Sequence, residues 1–328
     1  MTLDRYSHIT QAVFDQPWAI VPETFAKIVD LVQLRNAGIT LTRADVEARI
    51  GGAGRDRPET EVVDGVGVVS MFGVIAQRMN LFASISGGTS TEQMAAEFRA
   101  LLDDRDVRAI LFAIDSPGGS VYGIDELASE IRASRGIKPI IAHANPKAAS
   151  AAYWLGAQAD EFVVTPSGDV GSVGVVSAHT DLSGTAEKTG IKTTLISAGR
   201  YKTEDNPYEA LSEEGRAYLQ ARVDETHARM VRAIAAGRKV SDATVRAGFG
   251  EGRVLGAEAA LAAGMVDRIE PFEATLARLQ GRARQAPSAA PLRASADPVR
   301  QEPSAATRAT STRRMPEALW RSLMESEL

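Results

Sequence analysis

From Val62 onward the chain repeats one texture: short runs of β-branched and aliphatic residues, each stopped by Gly, Pro or Asp. The runs are VVDGVGVVSMFGVI, VRAILFAID, KPIIAHA, EFVVTP, VGSVGVVS and KTTLISAG. Runs this short and this apolar read as strands covered on both faces. Between them lie stretches with helical spacing, at residues 91–102, 124–135, 148–159 and 213–236. Strands alternating with helices must pack as an α/β layer structure with a largely parallel sheet. Residues 240–270 predict two short helices and a last strand, MVDRIE.

The flanks differ in texture. Residues 1–55 predict a helical extension, because ETFAKIVDLVQL carries apolar residues at helical spacing and GGAGRDRPE ends the pattern. Residues 56–275 then form the main domain, and 276–328 a basic tail. In GRARQAPSAAPLRASADPVRQEPSAATRATSTRR, seven arginines face only Asp297 and Glu302, a net charge of +5 over residues 281–314. A segment with so few large apolar side chains cannot offset its ordering entropy, so most of the tail is expected to be disordered. The terminal PEALWRSLMESEL places Leu319, Trp320, Leu323 and Met324 on one face of a short helix, read either as a frayed end or as a docking peptide.

Composition excludes several function classes. The net charge of −5 argues against nucleic-acid binding by the whole chain. With no cysteine there is no disulfide, thiolate metal site or cysteine nucleophile. No run reaches the roughly 18 apolar residues of a membrane span, and the N-terminus has no basic start followed by an apolar stretch. These features predict a soluble protein that stays in the compartment where it is made, the cytoplasm.

Three features could carry chemistry. In AIDSPGGSVYG the glycines Gly118 and Gly119 lie between a strand and a helix, where backbone N–H groups can point outward as an oxyanion hole. An ordinary tight turn has the same composition. In NPKAASAAYW, Ser150 sits among alanines at the start of a helical run, where the helix dipole favours developing negative charge. Close helix packing would also select that sequence. In SAGRYKTEDNP, Lys202 follows a strand and could serve as a base if desolvation held it neutral, although most loop lysines are simply solvated.

The combination is far more specific than its parts. DSPGGSV, the small-residue serine helix with YW behind it, GDVGSVGVV and GRYKTEDNP together resemble the signal peptide peptidase A family over residues 62–270. The resemblance implies the Clp-protease/crotonase-like fold, built of repeated ββα units, and peptide hydrolysis by a Ser–Lys dyad without cofactor. It implies Ser150 as nucleophile and Lys202 as general base, 52 residues apart. It implies an oxyanion hole from Gly118, Gly119 and the N–H of Ala151.

Two rivals for the base stand beside Lys202. Lys147 lies three residues before Ser150, at the edge of the expected helix and pointing to solvent. His179, with Asp181 nearby, matches the serine–histidine gap of the related Clp proteolytic subunit. His8, His143 and His227 read as structural, and no histidine pair has metal-ligand spacing with carboxylates, so no metal is expected.

The span MFGVIAQRMNLFASISGGTSTEQM, with the helical extension and basic tail, resembles the phage and prophage head-maturation branch of the family. That branch implies capsid or scaffold proteins as substrates. The family's rings and domes imply a homo-oligomer, in which Ser150 of one chain could meet Lys202 of the next. The alternatives are a cellular peptidase degrading peptides, an acyl-CoA binder on the same fold, and a non-catalytic assembly protein with a vestigial site.

Overall fold

The computed structural model describes residues 13–14, 16–36, 39, 41–50, 59–78 and 88–285. The basic tail beyond 285, its terminal helix and His8 lie outside the described residues.

The first strand is β1 (Trp18–Ile20), followed by helices α1 (Pro22–Asn36) and α2 (Arg43–Ile50). Pro22 at the first helical position is pre-set for helix by its fixed φ and lacks an N–H that would need a partner there. Strands β2 (Glu61–Val63), β3 (Val66–Phe72), β4 (Ile75–Ala76) and β5 (Thr89–Ser90) lead into α3 (Thr91–Asp103). Ser90 caps that helix by accepting the N–H of Gln93. Next come β6 (Ala109–Ser116), β7 (Gly118–Ser120), α4 (Ile124–Ala133), β8 (Ile140–Ala149), α5 (Ala151–Gly156), β9 (Glu161–Val164) and β10 (Asp169–Gly171). The remainder is α6 (Ser183–Thr189), α7 (Glu213–Arg238), α8 (Asp242–Gly248), β11 (Val254–Gly256), α9 (Ala257–Ala262), β12 (Arg268–Ile269) and α10 (Phe272–Gln285).

Two sheets result. The larger runs β11-β10-β8-β6-β3-β2, with β9 beside β8 and β12 beside β9. Its central pairs β3–β6, β6–β8, β8–β9 and β8–β10 are parallel; only β2 and β11 join antiparallel. The smaller runs β1-β7-β4-β5. This is the α/β architecture with a largely parallel sheet that the alternating texture predicts.

The strands show why they need cover on both faces. Along β3, Val69 and Met71 face the main core with Phe98 and Leu101 of α3, while Val66 and Val68 face Leu279 and Ala283 of α10. Along β6, Ile110, Phe112 and Ile114 join the first group, and Ala109 and Leu111 the second. Each fully buried Phe or Ile contributes roughly 2 kcal/mol from lost water contact. Helix α10 therefore runs straight through residue 275 as the lid of the second layer.

Three sequence expectations differ from the structure. The serine helix starts at Ala151, not Ala148, because residues 147–149 continue β8 and pair with Asp169–Gly171 of β10. Lys147 consequently sits in a strand rather than at a helix edge. The run KTTLISAG forms no strand: β10 already has β8 on one edge and β11 on the other, and residues 191–198 lie exposed, with Ile196 96% accessible. The extension, expected to be helical, also contributes β1, which joins the smaller sheet through β7.

Candidate active site

Ser150 stands alone at the junction of β8 and α5, with φ 54° and ψ −112°. A left-handed backbone is costly for any residue with a Cβ, on the order of 1–3 kcal/mol, and persists only where the surroundings fix it. Here they do. The Ser150 N–H donates to the carbonyl of Gly171 at 2.6 Å, and its own carbonyl accepts the N–H of Trp154 at 2.8 Å. Ala148, Ala149, Ala151 and Ala152 are all fully buried around it, so larger residues have no room.

Behind the turn, Tyr153 and Trp154 anchor α5. Tyr153 stacks on Phe162 at 5.4 Å, meets Phe249 edge-on, and donates its hydroxyl to the carbonyl of Met265 at 2.9 Å. Complete burial pushes the Tyr153 hydroxyl well above the usual phenol range, so it stays a neutral donor. The aromatic pair is a structural buttress for the serine turn.

The Pro-Gly-Gly turn arrives from β6 and lies against this serine. Gly118 has φ 98°, and a Cβ placed on it would come within 3.0 Å of the Ser150 Cβ. A Cβ on Gly119 would fall 1.9 Å from the carbonyl oxygen of Ile75 in β4. Both positions therefore require glycine, one for its backbone angle and both for close approach.

Ser116 is a residue the sequence reading did not single out. Fully buried, it donates its hydroxyl to the Gly73 carbonyl at 2.6 Å and accepts the Gly118 N–H at 3.1 Å. It thereby pins the glycine turn to the loop after β3. The serine in DSPGG, adjacent to a turn that must be rigid, was the available signal.

The structure does not join Ser150 to Lys202. The Ser150 Oγ, completely buried, donates to the carbonyl of Gly174 at 3.3 Å. Lys202 is exposed in the turn after Gly199, and among the described residues no hydrogen bond or ion pair reaches its ammonium group. In the same stretch of chain, Ile191, Leu195, Ile196, Tyr201 and Tyr208 are also exposed.

The rival histidine is occupied elsewhere. His179 Nε2 lies 3.1 Å from the carbonyl of Asn206, and Asp181 accepts the N–H of Ser183 instead of pairing with the imidazole. These bonds, with Leu182 N–H to the Pro207 carbonyl, tie the 179–183 segment to the loop that carries Lys202. His143, in mid-strand on β8, contacts the Thr275 hydroxyl through Nδ1 at 3.0 Å and packs edge-on against Phe272. Burial lowers its pKa from 6.5 to about 4, so it is neutral at ordinary pH. His227 lies on α7, and burial lowers its pKa as well.

Among the described residues no group of three or more His, Asp or Glu is placed to hold a metal ion, and no helix is long and apolar enough to cross a membrane.

A serine on a strained strand-to-helix turn, packed against a glycine turn, has the elements that acyl transfer requires; the comparisons with known proteins place the chain in a family. The model of peptidase family S49 matches residues 132–285, a span holding both Ser150 and Lys202. A protease-named protein of Synechocystis is 30% identical over 189 residues, 56% of this chain and 67% of the relative. The capsid assembly protease C of Escherichia phage lambda is 29% identical over 282 residues, covering 81% of this chain and 64% of that protein. The head-tail preconnector protein of Enterobacteria phage P21 is 31% identical over 232 residues, 66% of this chain and 46% of the relative. The chain belongs to peptidase family S49, the signal peptide peptidase A family. It spans less than two thirds of the length of either phage relative.

Proposed function

We propose that the chain is a serine endopeptidase of phage head maturation, with Ser150 as nucleophile and Lys202 as general base. The observation that carries the reading is the Ser150 turn itself, a non-glycine residue at φ 54° packed against Gly118. Strain of this kind is kept where geometry matters more than local stability. In the reaction, Ser150 Oγ attacks the scissile carbonyl while its proton passes to Lys202 Nζ. The backbone N–H groups of Gly119, beside Gly118, and of Ala151 hold the oxyanion. Lys202 returns the proton to the leaving amine as the C–N bond breaks, then activates water to hydrolyse the acyl-enzyme.

A lysine serves as base only when desolvation keeps it neutral. Within one chain Lys202 is exposed and apart from Ser150, in a loop whose Ile196 and Tyr201 also face solvent. A second copy covering that apolar loop would both desolvate the lysine and bring it to a neighbouring Ser150. The dyad is therefore assigned between chains of a homo-oligomer. The name of the lambda relative, a capsid assembly protease, supports capsid proteins as substrates. Scaffold proteins and the chain's own 281–314 segment complete the proposed substrates, cleaved in the host cytoplasm or within an assembling prohead. Mixing Ser150→Ala with Lys202→Ala chains tests the reading. Regained cleavage of capsid protein, absent from either variant alone, is the expected result; properly mixed oligomers that stay inactive would refute a shared dyad.

A further inference from the structure

Strand β1 occupies an unusual position. Its residues pair antiparallel with β7, placing Ile20 opposite Gly118, Ala19 opposite Gly119 and Trp18 opposite Ser120. The Val21 N–H extends the ladder to the Pro117 carbonyl at 2.9 Å. On its other edge Trp18 donates its N–H to the Val176 carbonyl at 2.7 Å and accepts the Val176 N–H at 2.8 Å. Three residues of extended chain are thus paired with the glycine turn on one side, and Trp18 is bonded on the other side to the segment that follows Gly174. Gly174 is the residue whose carbonyl accepts the Ser150 hydroxyl.

The fit beside the nucleophile is close. The Ala19 carbonyl oxygen lies 2.3 Å from where a Gly118 Cβ would stand, and that same Cβ would be 3.0 Å from the Ser150 Cβ. Ala19 and Ser150 are both fully buried. A peptide carbonyl therefore rests against the glycine turn, and the extended backbone around it satisfies the open strand edge as a bound peptide does. The side chains secure it: Trp18 donates Nε1 to the Val13 carbonyl and packs on Phe25, and Gln16 accepts the Ser120 hydroxyl at 2.7 Å.

We propose that Trp18–Val21 is an internal occupant of the peptide-binding slot, which keeps the enzyme latent until an extended substrate segment with a small residue at the position of Ala19 displaces it. This rests on the serine-peptidase reading. Because α1 begins at Pro22, directly after the occupant, the strand is tethered at a high effective concentration, of millimolar order for short linkers. Free peptides then compete poorly, and protein substrates concentrated in an assembly compete well. The tether converts local substrate density into activity.

Two measurements on the full chain decide this. The first is the rate at which a fluorophosphonate labels Ser150 in the wild type and in Trp18→Ala, which loosens the occupant. A rise of about tenfold is expected, corresponding to a tenfold larger open population. If Trp18→Ala fails to fold, Gln16→Ala, which removes the acceptor of the part-buried Ser120 hydroxyl bond, should show a smaller rise of the same sign. The second is hydrogen exchange of the Trp18 and Val21 amides in Ser150→Ala, with and without a synthetic peptide of residues 16–22. Faster exchange of the chain's own amides is expected once the peptide exceeds the roughly millimolar effective concentration of the tethered strand.

Amides that stay protected at saturating peptide, together with wild-type labelling rates in the folded variants, would make β1 a fixed wall and overturn the proposal. Folded wild type and variants that never react with fluorophosphonate would instead overturn the serine-peptidase reading, and the latency with it.

Discussion

Gly118 and Ser150 face each other across van der Waals distance, so that a single added methyl group at 118 would press on the Ser150 Cβ at 3.0 Å. The two residues come from different strands of the larger sheet's neighbourhood, one after β6 and one after β8, which are themselves parallel neighbours. Parallel strands bring their C-terminal ends to one edge, and loops at that edge are where α/β proteins place their chemistry.

Gly118→Ala should therefore remove activity while leaving the fold measurable. The substitution forces a side chain onto a φ of 98° and against the Ala19 carbonyl at 2.3 Å. A fall in kcat of about 10²–10³, the usual scale for a lost oxyanion donor, is expected with near-native circular dichroism. Wild-type turnover in this variant would remove the glycine turn from the mechanism.

Ser116→Ala tests the clamp beneath that turn. It deletes the hydroxyl that bonds Gly73 and Gly118, leaving a buried carbonyl and N–H without their partner. The expected loss is about 1–3 kcal/mol in chemical denaturation, with a lower kcat than stability alone explains. Unchanged stability would show that the turn holds itself.

Lys202→Ala and His179→Ala separate the candidate bases. Because His179 is bonded to the Asn206 carbonyl and supports the loop carrying Lys202, its loss should weaken activity modestly. Loss of Lys202 should abolish peptide hydrolysis, within the 10²–10⁴ range of general base catalysis or beyond it. The reverse order, measured with the same substrate, would reassign the base.

Tyr153→Phe isolates one hydrogen bond behind the serine. Its hydroxyl donates to the Met265 carbonyl in a fully buried site. Removing it should lower unfolding free energy by about 1 kcal/mol, whereas Tyr153→Ala should cost about 3–5 kcal/mol through the cavity left behind. Equal effects of the two changes would show that stacking on Phe162 contributes little.

Acid stability should report His143. Its folded pKa of about 4 lies below the ordinary 6.5, so between these values the unfolded chain binds the extra proton. Stability is then full above pH 6.5 and falls as pH drops toward 4, by up to about 3 kcal/mol for this group. His143→Leu should remove that component from the pH dependence of unfolding, and an unaltered profile would assign the acid loss to other groups.

The buried strands were legible from residues 62–164 because the local pattern decides them: β-branched runs between Gly, Pro and Asp can only be covered strands. The helices at 91, 124 and 213 were legible for the same reason, through apolar side chains that repeat at helical spacing. Ser150 and Gly118 stood out only in combination with GDVGSVGVV and GRYKTEDNP, because close packing or a tight turn accounts for either stretch alone. The start of the serine helix was misplaced by three residues, since Ala148 and Ala149 suit a helix but are held in β8 by the parallel ladder to β10. Ser116 went unnoticed because its role depends on Gly73, 43 residues away.

What the sequence determined by itself is thus the layered α/β plan and the identity of its chemically distinctive residues, because near-neighbour spacing and backbone freedom control both. Tertiary structure alone decided which strand edges find partners. It laid KTTLI open on the surface when β11 took the edge beside β10. It left Lys202 apart from Ser150 within one chain, and drew Trp18–Ile20 in beside Gly118–Ser120 across 100 residues of sequence. Backbone pairing is blind to side-chain identity at that distance, so no pattern along the chain announces it.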